Sequence, residues 1–179
     1  MFKRILSFPF RFRRRDDGGP TIEFVLVFLP FMVLLVSAYE LGLMMTRHVM
    51  LERGLDMAVR EVRLNTGSDL DEQDLRRMIC NAAGIIPDCT TTMRLEMRPI
   101  DPDNWSNIPR QASCINVSEP FEPARNFNNG ADNEIMVLRA CGLFRPMLPE
   151  FGLGYVLSRS HSDRHYRLVS MSAFVMEPS

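Results

Sequence analysis

Few side chains in this sequence are spaced for covalent chemistry. Ser160, His161, Ser162 and Asp163 bring the three residue types of a hydrolytic triad into one run. A triad needs its groups to converge on a single reacting atom, which adjacent residues on one loop seldom do. No Gly-x-Ser-x-Gly elbow lifts a serine out of a strand. His161 and His165 stand four apart and would share a metal only on a helix, whereas the sequence that follows reads as a strand. His48 has no second donor near it and is expected as a packing residue. No glycine-rich loop has the pattern of a phosphate cradle. On these residues we expect no enzyme and no cofactor, metal or small-molecule site.

Cys80, Cys89, Cys114 and Cys141 carry the remaining covalent possibility. A zinc site favours tight pairs such as Cys-x-x-Cys, and the spacings here are 9, 25 and 27. An even count in an exported domain points instead to two disulfides, among three possible connectivities. The expected pairs are Cys80 with Cys89 and Cys114 with Cys141. The first would pin the end of a helix to the loop entering a strand, and the second would tie a short strand to a central one. In the loop-entropy model each closure contributes about 2–4 kcal/mol.

The export assumed for those cysteines follows from Gly18 to Met45. From Phe24 to Ala38 the only polar side chain is Ser37. Adding Leu41 to Met45 beyond the Tyr39-Glu40 pair gives about 20 residues, enough for a helix to cross a bilayer. Pro20 suits a first helical turn, and Pro30 should kink the helix. Lys3, Arg4, Arg11, Arg13, Arg14 and Arg15 precede the stretch. Arg47 and Arg53 follow it, diluted by Glu40, Glu52 and Asp56. The positive-inside rule places the N-terminus in the cytoplasm and everything past about Met45 outside, a bacterial inner-membrane protein with a periplasmic domain. The rival reading is a removed secretory signal cut after Ala38. It would be longer than the usual leader and would carry Asp16, Asp17 and Glu23. A retained helix is the expectation.

Gly18-Gly19-Pro20-Thr21-Ile22-Glu23-Phe24, followed by an apolar helix, resembles a type IV prepilin cleavage site. Cutting between Gly18 and Gly19 would make Glu23 the fifth residue of the mature chain, where that family has a glutamate. The short basic leader, the Thr-Ile-Glu-Phe run and the Tyr39-Glu40-Leu41-Gly42 exit resemble more narrowly the TadE-like pseudopilins, minor proteins of tight-adherence (Tad, Flp-type) pilus assembly. The specific match covers about residues 14–60. The paired cysteines and a closing strand ending in Met176-Glu177-Pro178 agree more loosely. The resemblance implies a prepilin peptidase as processing partner and other pilins or pseudopilins as assembly partners. It also implies a role for Glu23, set against the new Gly19 ammonium of a neighbouring subunit. The plainer account keeps Glu23 at the water boundary, where it favours the helix N-terminus through the helix dipole.

The remaining elements must hold and display this helix. Leu41, Met44, His48, Leu51, Leu55, Ala58 and Val62 recur at steps of three and four, so the helix is expected to continue outside as one apolar stripe. Asn65-Thr66-Gly67 ends it, for a length from Pro20 to Thr66 of about 70 Å. The stripe is expected to bury against its own domain. A second helix is expected to start at Ser68-Asp69 with Glu72 in a capping box. Its inner face is Leu75, Met78, Ile79 and Ala82, and Gly84 stops it. Thr90 to Ile100 alternates as a strand with Met93, Leu95 and Met97 on the dry side. Trp105 is expected as a loop anchor, and Ser113 to Ser118 as a short strand. Glu134 to Phe144 and Tyr166 to Met176 are apolar in both registers, as central, covered strands are. Pro146 to Leu157 is expected as a short helix. Its apolar side chains would meet a partner subunit or the bilayer surface, or else fold back over the sheet.

With a net charge of -1, bulk charge argues for no nucleic-acid partner, and Arg13-Arg14-Arg15 reads as a topology signal touching anionic membrane lipid. The expected architecture is an α+β, pilin-like fold, with a long N-terminal helix packed on a small antiparallel sheet. Its parts are a basic leader (1–18), the helix (19–66, crossing the membrane at about 22–45) and a periplasmic domain (67–179). The expected function is that of a non-enzymatic minor pseudopilin. A single-pass, membrane-tethered periplasmic binding or enzymatic domain unrelated to pili is the alternative.

Overall fold

The periodicity of the long helix decides the architecture. In the computed structural model, which describes residues 19–64, 70–103, 109, 111–115, 127–159 and 164–178, helix α1 runs from Gly19 to Leu64 without a break at Pro30. Its 46 residues span about 69 Å. Leu51, Gly54, Leu55, Ala58, Val59 and Val62 are buried, a stripe at steps of three and one that faces the rest of the domain. Leu41, expected at the head of that stripe, is exposed, and Met44 and His48 are half-buried. The stripe tightens only where the sheet and second helix reach it. His48 turns its Nε2 to Glu52, 3.3 Å away.

Helix α2 (Glu72–Ala83) crosses α1 at Gly54 and presents Leu75, Ile79 and Ala83. A Cβ at Gly54 would lie 2.8 Å from the Ile79 carbonyl oxygen, so only glycine permits this approach. Gly84 ends α2, and its N–H donates to the Cys80 carbonyl. The start of α2 differs from the sequence expectation. Asp71 is the N-cap, and its side chain makes no capping hydrogen bond. Glu72 is buried 3.7 Å from Arg76, whose guanidinium also donates to the Met93 carbonyl at 3.4 Å. The carboxylate meets a buried cation one turn on, and the helix starts later than Ser68-Asp69. Ser68, Asp69, Trp105 and the helix end at Asn65-Thr66-Gly67 lie outside the described residues.

The sheet is antiparallel, in the order β1 (Met93–Pro99), β2 (Ile135–Phe144), β3 (Tyr166–Val175). The register sets Leu95 opposite Ala140, and Phe144 opposite Tyr166. One face therefore carries Met93, Leu95, Met97, Met136, Leu138, Ala140, Phe144, Tyr166 and Leu168, which join the α1 and α2 stripes in one core. Thr90 to Thr92, expected in the first strand, instead belong to a short helical turn, α3 (Cys89–Thr92). The hydroxyls of Thr91 and Thr92 satisfy the Asp88 carbonyl there.

Residues 109 and 111–115 form a strap over the outer face of β1 and β2. Glu96 and Arg139 stand directly opposite each other across the strands, both buried, 3.6 Å apart. Arg139 donates to the carbonyls of Pro109 (3.0 Å) and Gln111 (3.4 Å), and Glu96 accepts from the Ser113 N–H (3.1 Å). The Cys114–Cys141 disulfide fastens the strap to β2, and Cys80–Cys89 joins α2 to α3. Residues 113–115 form no strand: the Ser113 N–H goes to the Glu96 side chain and Cys114 is held by its disulfide, while 116–118 lie outside the described residues.

β3 corrects a further expectation. It is an edge strand covered on one face, with Arg167, Val169, Met171 and Val175 exposed on the other. The described polar and disulfide links of the strap reach only β1 and β2, with one Arg139 contact to the Met171 sulfur. The outer face of β3 is therefore left open.

Candidate membrane and assembly site

At its N-terminal end α1 has little but apolar surface. Ile22, Phe24, Leu26, Val27, Leu29, Phe31 and Leu34 are all more than half exposed, and Phe24 and Phe28 stack one turn apart at 5.1 Å. The helix is long and apolar enough to span a membrane, and the most apolar 18-residue window has none of its residues buried against the protein. Gly19 and Glu23 lie one turn apart at the exposed start of this helix. Both are exposed, and a Cβ at Gly19 would meet nothing within 4 Å among the described residues. Gly18, Arg13, Arg14 and Arg15 lie outside the described residues.

Where the bare apolar half ends, the domain takes hold through polar groups. Ser37, Glu40 and Arg47 fall on one side of α1, spaced three and seven apart. The Ser37 hydroxyl accepts from the Leu153 N–H at 3.2 Å. Gly152, just before, has φ +59, and a Cβ there would sit 2.5 Å from the Ser37 Oγ. Both oxygens of Glu40 accept from the Met147 N–H, at 3.2 and 3.1 Å, and the residue is 2% exposed. Two backbone N–H groups beside an apolar helix, one in a loop and one in the first turn of the next helix, are thereby satisfied by side chains of that helix. Helix α4 (Gly152–Ser158) closes against α1 just beyond them.

Arg47 completes the junction. It donates to the Tyr166 hydroxyl at 2.8 Å and lies over the Phe144 ring, 5.4 Å from its centroid. Phe144 and Tyr166 stack at 5.6 Å. Burial pushes the Tyr166 pKa up. The Arg47 hydrogen bond and charge pull it down, and the Glu40 charge raises it slightly. The net shift is upward.

Sequence reasoning picked out Glu40 only as a diluting charge and part of an exit motif, and it missed Ser37 as a docking residue. The signal was present: both polar residues fall in register with Met44 and Leu51 on the stripe that turns inward.

The other candidate chemistry does not gather into a site. All four cysteines are in the two disulfides. Among the described residues no three His, Cys, Asp or Glu side chains come together as a metal site. Ser160, His161, Ser162 and Asp163 lie outside the described residues. A furrow lined by Val49, Glu52, Arg53, Asp56, Met57 and Arg60 runs along the outer side of α1. All its walls come from one helix, so it is surface relief and encloses nothing. Comparisons with family models, with curated proteins and with solved structures found no match.

Proposed function

We propose that this protein is a non-enzymatic minor pseudopilin, similar to the TadE-like proteins of tight-adherence pilus biogenesis. It is held in the bacterial inner membrane by α1, with its N-terminus cytoplasmic and its α+β domain periplasmic. Prepilin peptidase removes the basic leader between Gly18 and Gly19, and the mature chain co-assembles through α1 with other pilins or pseudopilins. The observation that carries this reading is the division of one 46-residue helix into a bare apolar half beginning at Gly19 and a half buried on its own sheet.

Glu23 has the assembly role. A carboxylate among lipid chains costs up to about 3 kcal/mol at the bilayer centre and less near the interface. Placed against the Gly19 ammonium of a neighbour, both charges are compensated.

Two substitutions test the reading. Gly18→Val should leave an unprocessed, longer precursor on immunoblots. Glu23→Ala should insert and express normally yet impair piliation. Normal piliation by a well-expressed Glu23→Ala strain would remove the assembly role. A soluble periplasmic form starting at Tyr39 would replace the whole reading with a cleaved signal.

A further inference from the structure

We propose that the segment 146–157 is a second membrane contact, lying in the headgroup and upper acyl region of the bilayer that α1 spans. The proposal rests on that reading of α1.

The segment combines an anchored backbone with a largely apolar outer surface, interrupted by exposed Glu150, which pairs with Arg164 at 3.6 Å. Met147 (56% exposed), Phe151 (66%) and Val156 (65%) point away from the domain, with Tyr155 and Leu148 beside them. These side chains lie within one short stretch, more apolar surface than a water-facing loop ordinarily leaves open. On its inner side the Leu153 N–H is held by Ser37 and the Met147 N–H by Glu40. Gly154 and Ser158 are buried. The Ser158 hydroxyl bonds back to the Pro149 and Tyr155 carbonyls.

Height along α1 identifies the occupant. Ser37 lies 18 residues after Gly19, about 27 Å along the axis, against a hydrocarbon thickness of about 30 Å. The Ser37–Leu153 contact therefore lies at the edge of the hydrocarbon when the bare half of α1 from Gly19 fills it, which ends the span short of the Met45 expected from hydropathy. Tyr39, 57% exposed, stands two residues past Ser37, and the exposed Phe151 and Tyr155 stand two residues either side of Leu153, whose N–H Ser37 holds. A band of aromatic side chains at this depth is what a membrane interface selects. Arg145 and Arg159, both exposed, bracket the segment and can reach lipid phosphates while their stems stay in the apolar layer. The apolar surface of 146–157 thus continues the lipid-facing surface of α1, and it carries cations at both ends where anionic headgroups lie. A protein partner at this height would have to share the layer with lipid.

A seven-residue helix alone binds membranes weakly. Tied to a spanning helix, it needs no affinity of its own, and its effect is orientation. A single helix leaves the domain free to rotate and tilt. A second contact fixes which side of the sheet faces the membrane.

The test uses the full-length chain reconstituted in vesicles of phosphatidylcholine and phosphatidylglycerol. The acyl chains are brominated either near the headgroup or near the bilayer centre, and bromine quenches tryptophan on contact. The one native tryptophan is removed by Trp105→Phe. Single tryptophans are then placed by Phe31→Trp, Phe151→Trp or Val175→Trp, all at exposed positions. The Phe31→Trp protein should be quenched mainly by deep bromines. The Phe151→Trp protein should be quenched several-fold more by shallow than by deep bromines, and the Val175→Trp protein by neither. A Phe151→Trp protein as insensitive as the Val175→Trp protein, with the Phe31→Trp protein still quenched, would overturn this inference and leave the spanning helix intact. A blue-shifted Phe151→Trp emission that bromine does not touch would mean a protein partner and overturn it equally. An unquenched Phe31→Trp protein would instead remove the membrane reading itself.

Discussion

Leu26 and Leu55 lie on the same helix, about eight turns apart. Leu26 is 67% exposed and Leu55 is 1% exposed. From Phe24 to Val36 the helix around Leu26 is apolar on every side, and none of these residues is buried. Around Leu55 one side meets Ile79 and the inner face of the sheet, and the other carries Arg53, Asp56 and Arg60 to water. An apolar helix without a polar side has no stripe to hide and suits apolar surroundings on every side. A helix with a stripe gains its stability from the partner that covers the stripe. The two halves thus show that hydrophobicity all round and hydrophobicity on one side are different instructions, issued here by one unbroken element. Ser37 and Glu40 sit where one instruction gives way to the other.

The largest effect should come from making the same substitution in both halves. Leu55→Ala removes side-chain atoms from a filled core and should cost about 2–5 kcal/mol in denaturant unfolding of the detergent-solubilised protein. Leu26→Ala should leave that transition unchanged. Equal losses at both positions would mean that the apolar half is also packed on protein, and the comparison would fail.

A smaller effect belongs to the boundary. Glu40→Ala leaves the Met147 N–H without its acceptor and should cost about 1–3 kcal/mol. Amide exchange at Met147 and Leu153 should accelerate while the amides of β2 stay protected. Glu40→Gln keeps an acceptor and should lie between. Uniform acceleration across the sheet would show that Glu40 supports the whole core and marks no boundary.

The smallest concerns the domain side of the junction. Tyr166 has its pKa raised above the ordinary 10.0, chiefly by burial. The folded state therefore holds the phenolic proton more tightly than the unfolded state. Its contribution is complete below pH 10.0 and is lost as pH rises through the folded-state value. Tyr166→Phe, which keeps the ring against Phe144, should flatten the alkaline limb of the stability curve. An unchanged limb would assign the alkaline loss to other groups.

How much of this was legible in the sequence depended on whether period or neighbourhood carried the information. The stripe Leu51, Leu55, Ala58, Val62 and the alternation Met93, Leu95, Met97 are periodic, and a period survives any choice of partner. The strand order could not be read the same way. β2 and β3 are both apolar in both registers, yet only β2 is covered twice, because the strap bonded to Glu96 and Arg139 does not extend over β3. Glu72 fitted a capping box by spacing, but Arg76, one turn on, gave its carboxylate a buried partner. Of the site, Gly19 and Glu23 were visible as a motif at the head of an apolar run. The Ser37 and Glu40 contacts reach residues more than a hundred positions away, and no local pattern encodes those.

Arg47 and Tyr166 are 119 positions apart, and β3 packs directly on α1. During synthesis the helix is made first and the strand that completes its cover is made last. At translation rates the interval is on the order of ten seconds. Helix α2 arrives early and can close over Gly54 at once, forming a helical hairpin with only local contacts. The rest of the stripe has to wait. The domain is therefore finished from its far end, and a nascent chain stalled before Tyr166 would present a half-covered α1, a ready target for quality-control proteases or for a holding chaperone.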